Sequence, residues 1–119
     1  MNLTKEQLTS NLRLGKSIEQ WLSYIKENDY AIINWLRIDK EKDDMYSVSY
    51  FEVFDEGSEE FIDIYEFSKL DPDEPYGIIN TFNSVEESLE FATRTYGASI
   101  DKFVSGGMIQ EEYRDYLRR

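Results

Sequence analysis

The sequence of 119 residues contains no cysteine and no histidine. Without cysteine the chain can form neither a disulfide bond nor a thiolate nucleophile, and the usual zinc sites are excluded as well. Without histidine it lacks the side chain best suited to proton transfer near neutral pH, which excludes every Ser-His or Cys-His arrangement. Any catalysis would therefore have to rely on carboxylates or on a metal that they hold.

Long apolar runs are missing too. Residues 1–15 are polar and lack the apolar stretch of about 7 to 15 residues that a secretory leader needs. No run approaches the ~18 apolar residues of a membrane span. We therefore expect a cytoplasmic protein that does not bind membranes.

The composition predicts a folded protein. Apolar residues make up 40 % of the chain, and seven phenylalanines, nine tyrosines and two tryptophans provide material for a core. This content argues against disorder although 32 % of the residues are charged. A chain of this length fits one domain, so we expect a single compact domain over residues 1–119.

Negative charge is concentrated in one part of the chain, residues 39–75, which we call the acidic block. It holds fourteen aspartates and glutamates against three lysines, whereas the net charge of the whole protein is −12. A field localised in this way attracts positively charged partners and repels nucleic acid and anionic membranes. Because the chain also offers no basic patch to neutralise phosphates, we expect a basic protein partner and no binding to nucleic acid.

The N-terminal part of the sequence contains two patterns that are typical of helix starts. Thr4 with Gln7, and Ser17 with Gln20, fit the capping box in which a hydroxyl and an amide satisfy free backbone N–H groups at a helix start. Gly15 separates the two. The pattern predicts a short helix over residues 5–13 and a longer one over 17–27.

The middle of the chain predicts an antiparallel meander. Residues 30–38, 45–54 and 61–67 are rich in β-branched and aromatic side chains, and short charged turns join them. A proline-containing connector follows, and residues 76–82 are expected to add a fourth short strand.

Two helices are expected after the strands. Ser84 with Glu87 forms the cleanest capping box of the chain, and Gly97 is well placed to end that helix in the left-handed conformation. A last helix is predicted over residues 108–117. The fold class is therefore α+β, with an N-terminal helix or two short helices, a three- to four-stranded antiparallel meander sheet, and two or more C-terminal helices.

Symmetric turns would set the strand register, and with it the two faces of the sheet. They would place Trp35 opposite Val48, and they would bring Glu52 opposite Asp63 with Tyr50 opposite Tyr65. A one-residue slip would reverse every face. The expected core face comprises Ile32, Leu36, Ile38, Phe51, Val53, Ile62 and Ile64. The other face is aromatic and charged, and either the C-terminal helices or a second chain would have to cover it.

One metal-like pattern occurs in the acidic block. Asp71 and Asp73 are spaced as at the start of a calcium loop, but Tyr76 and Phe82 occupy the positions where that loop needs glycine and glutamate. An EF-hand is excluded. An irregular cation site stays open in two acidic groups: Asp71, Asp73 and Glu74, and Asp39, Asp43 and Asp44.

The leading functional interpretation is a small acidic binding protein that recognises a basic protein surface. Carboxylates presented where phosphates would lie could occupy a nuclease or another nucleic-acid-binding protein, with tyrosines as anchors. In charge and size alone the chain is similar to toxin-immunity proteins and to phage inhibitors that mimic DNA, so an inhibitor or immunity-type role is expected. The predicted partner-binding residues are Tyr50, Glu52, Asp55, Glu56, Glu59, Glu60, Asp63 and Tyr65.

Two other interpretations stay open. In the first, the protein is a structural module that forms a homodimer through the aromatic sheet face, and its acids serve solubility. In the second, Glu52 and Asp63 repel each other, one pKa rises, and the pair serves a carboxylate-based or metal-assisted enzyme. We predict a protein that is not an enzyme, with no catalytic residue, no metal ligand and no cofactor.

Overall fold

The structure is a computed structural model that describes all 119 residues. It is an α+β fold of three helices and one five-stranded antiparallel sheet. The elements in chain order are α1 (Lys5–Arg13), β1 (Ile18–Lys26), β2 (Ala31–Lys40), β3 (Tyr46–Phe54), β4 (Ile78–Phe82), α2 (Val85–Tyr96), β5 (Val104–Ser105) and α3 (Ile109–Leu117). None of the helices has the length and apolarity needed to cross a membrane.

The strands lie in the order β4-β3-β2-β1-β5, so β2 is the central strand and β4 and β5 form the two edges. Both faces of the sheet are covered by the chain itself. α1 and α2 pack on one side, which we call the first face. α3 and a turn of 3-10 helix at Ile64–Glu66 pack on the other side, the second face.

Each face has its own apolar core, because successive side chains of a strand point to opposite sides. The core of the first face joins β1, β2 and β3 to α1 and α2 through Leu8, Leu12, Ile18, Leu36, Ile38, Tyr46, Val48, Val85, Leu89, Ala92, Ala98 and Phe103. The core of the second face comprises Ile33, Trp35, Val53, Ile64, Phe67, Ile109, Tyr113 and Tyr116. The aromatic face expected from the sequence is therefore divided: Trp35 and Phe67 lie under α3 on the second face, whereas Tyr46 and Val48 lie on the first face.

The predictions for three helices are confirmed. The Thr4 hydroxyl accepts a hydrogen bond from the Gln7 N–H at the start of α1, and the amide of Gln7 accepts one in return. α2 begins after Ser84 and ends at Gly97, which adopts the left-handed conformation with φ of 73°. α3 closes the chain within the predicted range.

The helix predicted over residues 17–27 is wrong, because this segment forms β1. Its apolar residues recur at helical spacing because a β-bulge at Leu22 interrupts the alternation of the strand. On either side of the bulge, Trp21 pairs with Trp35 and Tyr24 pairs with Ile33. Two side chains three residues apart thus lie on the same face of a strand, as they would on a helix.

The strand predicted over residues 61–67 is also wrong. Ile64 and Phe67 are both fully buried in the second face, and the 3-10 turn between them brings side chains three residues apart to one side. The place beside β3 is taken instead by β4, which pairs with Tyr46–Tyr50. Beyond β4, residues 68–70 bond to the rest of β3.

The predicted register between β2 and β3 is displaced by three residues. Trp35 lies opposite Phe51, not Val48, because the link between the strands is a five-residue loop in which Asp43 and Asp44 adopt positive φ. An odd displacement reverses which residues share a face. Of the core face expected from the sequence, Leu36 and Ile38 lie on the first face, and Val53 and Ile64 on the second.

Candidate functional site

Most acids of the acidic block have no cationic partner within the chain. Only three of the fourteen form ion pairs: Asp39 with Arg37, Asp44 with Lys40, and Glu59 with Arg118. The other eleven carboxylates have no basic side chain within 4.0 Å. The folded protein therefore keeps the negative field that its sequence predicts.

Several of these free carboxylates meet in one small depression, which we call the acidic cleft. It lies where β3, the start of β4 and the connector between them come together, and its volume is about 90 Å³. Its lining residues are Tyr50, Glu52, Lys69, Asp71, Glu74, Gly77 and Ile78. Three carboxylates face a single lysine there, so the cleft is negative overall.

Backbone hydrogen bonds position the cleft. The Leu70 N–H donates to the carbonyl oxygen of Glu52 at 2.9 Å, which holds the connector against β3. Two successive turns follow, in which Glu74 donates to Asp71 and Gly77 donates to Glu74, each at 3.0 Å. These turns bring the connector acids back towards Glu52.

Gly77 is required at the end of these turns. Its φ is 79°, and a Cβ atom added there would lie 2.5 Å from the carbonyl oxygen of Tyr50. Only a residue without a side chain permits both this backbone conformation and this approach to β3. Glycine at this position therefore lets β4 begin directly beside the cleft.

Tyr50 forms the aromatic wall of the cleft. Its ring stacks on that of Tyr96 from α2, with 4.1 Å between the centroids and 4° between the planes. Burial raises the pKa of Tyr50, and the neighbouring carboxylate of Glu52 raises it further. A rigid, stacked ring beside a free carboxylate is suited to hold a cationic head group, through charge on one side and the π-face on the other.

The residues of the predicted site do not all lie together. Glu52 pairs with Asn34 on β2, so the expected side-by-side pair of Glu52 and Asp63 does not form. Asp63 instead accepts a hydrogen bond from Gln110. The pairing of Tyr50 with Tyr65 does not form either, because Tyr65 lies on the second face and Tyr50 on the first.

Four predicted acids follow β3 directly and lie apart from the acidic cleft. The carboxylate of Asp55 accepts hydrogen bonds from the hydroxyl of Tyr113 and the N–H of Gly57. Glu56 accepts from the backbone of Ser68, and Glu59 pairs with Arg118. That hydrogen bond from Arg118 lowers the pKa of Glu59. Glu60 is exposed and its carboxylate has no partner.

A buried polar cluster around Glu19 was missed by the sequence reasoning. The carboxylate of Glu19 is fully buried and accepts four hydrogen bonds, from Arg37, Tyr65 and the backbone N–H groups of Gly107 and Ile109. The last two come from the start of α3, where the helix dipole favours an anion. Glu19 thereby connects β1, β2, the 3-10 turn and α3.

Arg37 extends this cluster towards the surface. Burial lowers its pKa, but Asp39 and Glu19 more than offset that effect, so the pKa is raised. For Tyr65, in contrast, burial itself raises the pKa, and the hydrogen bond to Glu19 raises it further. Arg37 and Tyr65 line an open depression of about 540 Å³, but the guanidinium is already neutralised by two carboxylates. The cluster links the strands to α3, and its one cation, Arg37, is paired with carboxylates of two residues.

No group of three or more carboxylates is arranged to hold a metal ion. This holds for both acidic groups in which the sequence left an irregular cation site open. Neither a protein-family model, nor a curated protein, nor a solved structure matches the chain.

Proposed function

We propose that the protein is a small acidic binding protein that recognises a basic surface on another protein. The observation that carries the proposal is the set of eleven acids in the acidic block without a cationic partner. Charges that merely kept the fold together would be paired internally, and unpaired ones steer a cationic partner. Binding of this kind would inhibit a nuclease or another nucleic-acid-binding protein, because carboxylates occupy the place of phosphates.

The acidic cleft is the proposed centre of the contact. Tyr50 and Glu52 are the two predicted site residues that line it, and Asp71 and Glu74 add two carboxylates from the connector. Its volume of about 90 Å³ suits the head group of one lysine or arginine. The acids after β3, Asp55 to Glu60, would contribute to the field around this contact.

Two predicted site residues, Tyr65 and Asp63, lie outside the proposed contact. Tyr65 donates its hydroxyl hydrogen to Glu19, and Asp63 accepts a hydrogen bond from Gln110. Both have partners on the second face, whereas Tyr50 and Glu52 are directed to the first face. One partner surface is therefore proposed to contact Tyr50 and Glu52 but not this pair.

A binding role is favoured over a catalytic one by the same geometry. The enzyme hypothesis depended on Glu52 and Asp63 side by side, and the structure places Glu52 beside Asn34. The single carboxylate of Glu52 is exposed. The opposed carboxylate pair on which that hypothesis depended is therefore absent.

Affinity capture from a lysate at low and high salt tests the proposal. The wild-type protein is compared with a cleft variant, Glu52→Gln/Asp71→Asn/Glu74→Gln, and with a control variant, Glu6→Gln/Glu27→Gln/Asp101→Asn. Both variants lose three negative charges, and the control acids are exposed and unpaired. We expect a basic protein to be captured at low salt by the wild type and the control, and to be lost with the cleft variant.

Equal capture of that basic protein by the cleft variant and the control would show that the cleft is not the contact. If the wild type captures no basic protein at low salt, or retains its partner unchanged at high salt, the proposed function is wrong.

A further inference from the structure

β4 is an open edge of the sheet. It pairs with β3 on one side only, and no strand follows it in the sheet order. None of the thirty backbone hydrogen bonds outside helices and strands involves residues 78–82, and no side chain bonds to their backbone. A row of N–H and C=O groups therefore faces outwards without a partner in the chain.

This edge lacks the usual protection against strand addition. In natural proteins, charged side chains, proline, a bulge or a very short length prevent an edge strand from pairing with another chain. The sequence of β4, Ile-Ile-Asn-Thr-Phe, has no charge and no proline, and its ladder with β3 is regular. The opposite edge, β5, is only two residues long.

Apolar side chains border the open edge on both faces. Ile78 is 43 % exposed and Ile79 is 53 % exposed, and as neighbours in a strand they point to opposite faces. A strand that paired with β4 would cover both. The edge thus offers main-chain hydrogen bonds for affinity and apolar side chains to pack on either side.

The acidic cleft lies at the beginning of this edge. Ile78, the first residue of β4, lines the cleft together with Asp71 and Glu74. A strand lying along β4 would bring its own side chains within reach of these carboxylates. Basic residues in that strand would be attracted, and acidic ones would be repelled.

We propose that an extended, basic segment of the partner protein pairs with the outer edge of β4 as a sixth strand. This inference rests on the proposed function and specifies how the partner docks. Charge complementarity selects a basic segment over a second copy, because two copies joined at β4 would bring two acidic clefts and two chains of net charge −12 together.

Hydrogen exchange followed by NMR tests the inference with a defined probe. The probe is a synthetic peptide of about nine residues in which lysine and valine alternate, and its counterpart carries glutamate in place of lysine. We expect the lysine peptide to slow the exchange of outward-facing amides in residues 78–82 by about tenfold or more. The glutamate peptide should leave them unchanged.

Two variants of equal charge sharpen the test. Ile79→Lys places a cation on the edge, whereas Ile25→Lys places one at a site that is equally exposed, at 51 %, but distant from β4 in the sheet. Ile79→Lys should weaken peptide binding at least about fivefold, and Ile25→Lys should change it less than about twofold.

The outcomes separate this inference from the proposed function. Salt-dependent binding of the lysine peptide that leaves the β4 amides unprotected would overturn docking at the edge and leave recognition of a basic surface standing. Protection of β4 that appears without peptide and grows with protein concentration would assign the edge to a second copy and overturn the inference. No binding of the lysine peptide at low salt would overturn it as well.

Discussion

Glu19 and Arg37 form an ion pair across β1 and β2, with 2.8 Å between Oε2 of the glutamate and Nη1 of the arginine. Glu19 is fully buried, whereas Arg37 keeps about a third of its side chain exposed. A buried carboxylate is tolerated only where hydrogen bonds replace its hydration, and here four donors do so. The pair fixes α3 over the second face, because two of the donors belong to the backbone at the start of that helix.

Replacing Glu19 by glutamine is expected to destabilise the fold by about 3 kcal/mol, because it leaves the Arg37 guanidinium and two helix N–H groups without their anion. The free energy of unfolding, from urea titration, measures this. Glu86→Gln provides the control, since it breaks an ion pair with Arg13 that is exposed on both sides. A loss at Glu19 no larger than at Glu86 would show that the buried pair does not hold the fold together.

Alkaline pH is expected to destabilise the protein through its buried tyrosines. Burial raises the pKa of Tyr65 and Tyr113, and hydrogen bonds to Glu19 and Asp55 raise it further. The unfolded chain loses these protons near pH 10 while the folded chain keeps them. Their contribution to stability is therefore complete below about pH 10 and declines above it.

Urea titrations between about pH 8 and pH 11 measure that decline. The double variant Tyr65→Phe/Tyr113→Phe should be less stable at the lower pH but should lose less stability on going to the higher pH. Tyr76→Phe, at a position that is 77 % exposed, should keep the wild-type slope. An unchanged slope in the double variant would contradict the assignment.

Gly77→Ala is expected to cost more stability than Gly97→Ala. Both glycines adopt a similar positive φ, 79° and 73°. This backbone conformation therefore destabilises the alanine variant by about 1 kcal/mol at either site. Only at Gly77 would the new Cβ meet an atom, the carbonyl oxygen of Tyr50 at 2.5 Å. We expect a further loss of about 1–3 kcal/mol there in thermal or urea unfolding, and equal losses would mean that the close approach does not exist.

Trp35→Glu is expected to prevent folding. Trp35 is 1 % exposed, stacks on Phe51 at 4.3 Å and lies under α3, so a glutamate there would bury an unpaired charge. Circular dichroism should show an unfolded chain. If the protein self-associates, as one hypothesis from the sequence holds, it has to use another surface. A folded Trp35→Glu monomer derived from a dimeric wild type, by light scattering, would instead place that residue at the interface.

Local signals predicted the ends of α1 and α2 correctly, but the capping box read at Ser17 and Gln20 does not form. Ser17 bonds to Asp39 and Gln20 to the backbone of Ser99 instead. The caps of α1 and α2 depend on residues three positions apart, such as Thr4 with Gln7, and Gly97 ends α2 through its own backbone freedom. The strand β1 was misread because the bulge at Leu22 imitates helical spacing. The sequence of the segment does not reveal the bulge, because a bulge is defined by how a strand pairs with its partner strand.

The candidate site depended on contacts that are distant in sequence. Glu19 bonds to the N–H of Gly107, 88 residues away, and the cleft forms only because β4 takes the place expected for residues 61–67. The sequence predicted that Tyr50 and Glu52 belong to a site. It did not predict that they line one cleft with Asp71 and Glu74, because the connector lies against β3 only where the expected third strand does not form.

The rate of association with the captured basic partner, measured by stopped flow at ionic strengths from about 0.05 to about 0.5 M, tests the central claim most directly. We predict a fall of at least about tenfold over this range. The cleft variant Glu52→Gln/Asp71→Asn/Glu74→Gln should start lower and fall less than the control Glu6→Gln/Glu27→Gln/Asp101→Asn. An association rate that stays within about twofold across the range would contradict recognition through the acidic block.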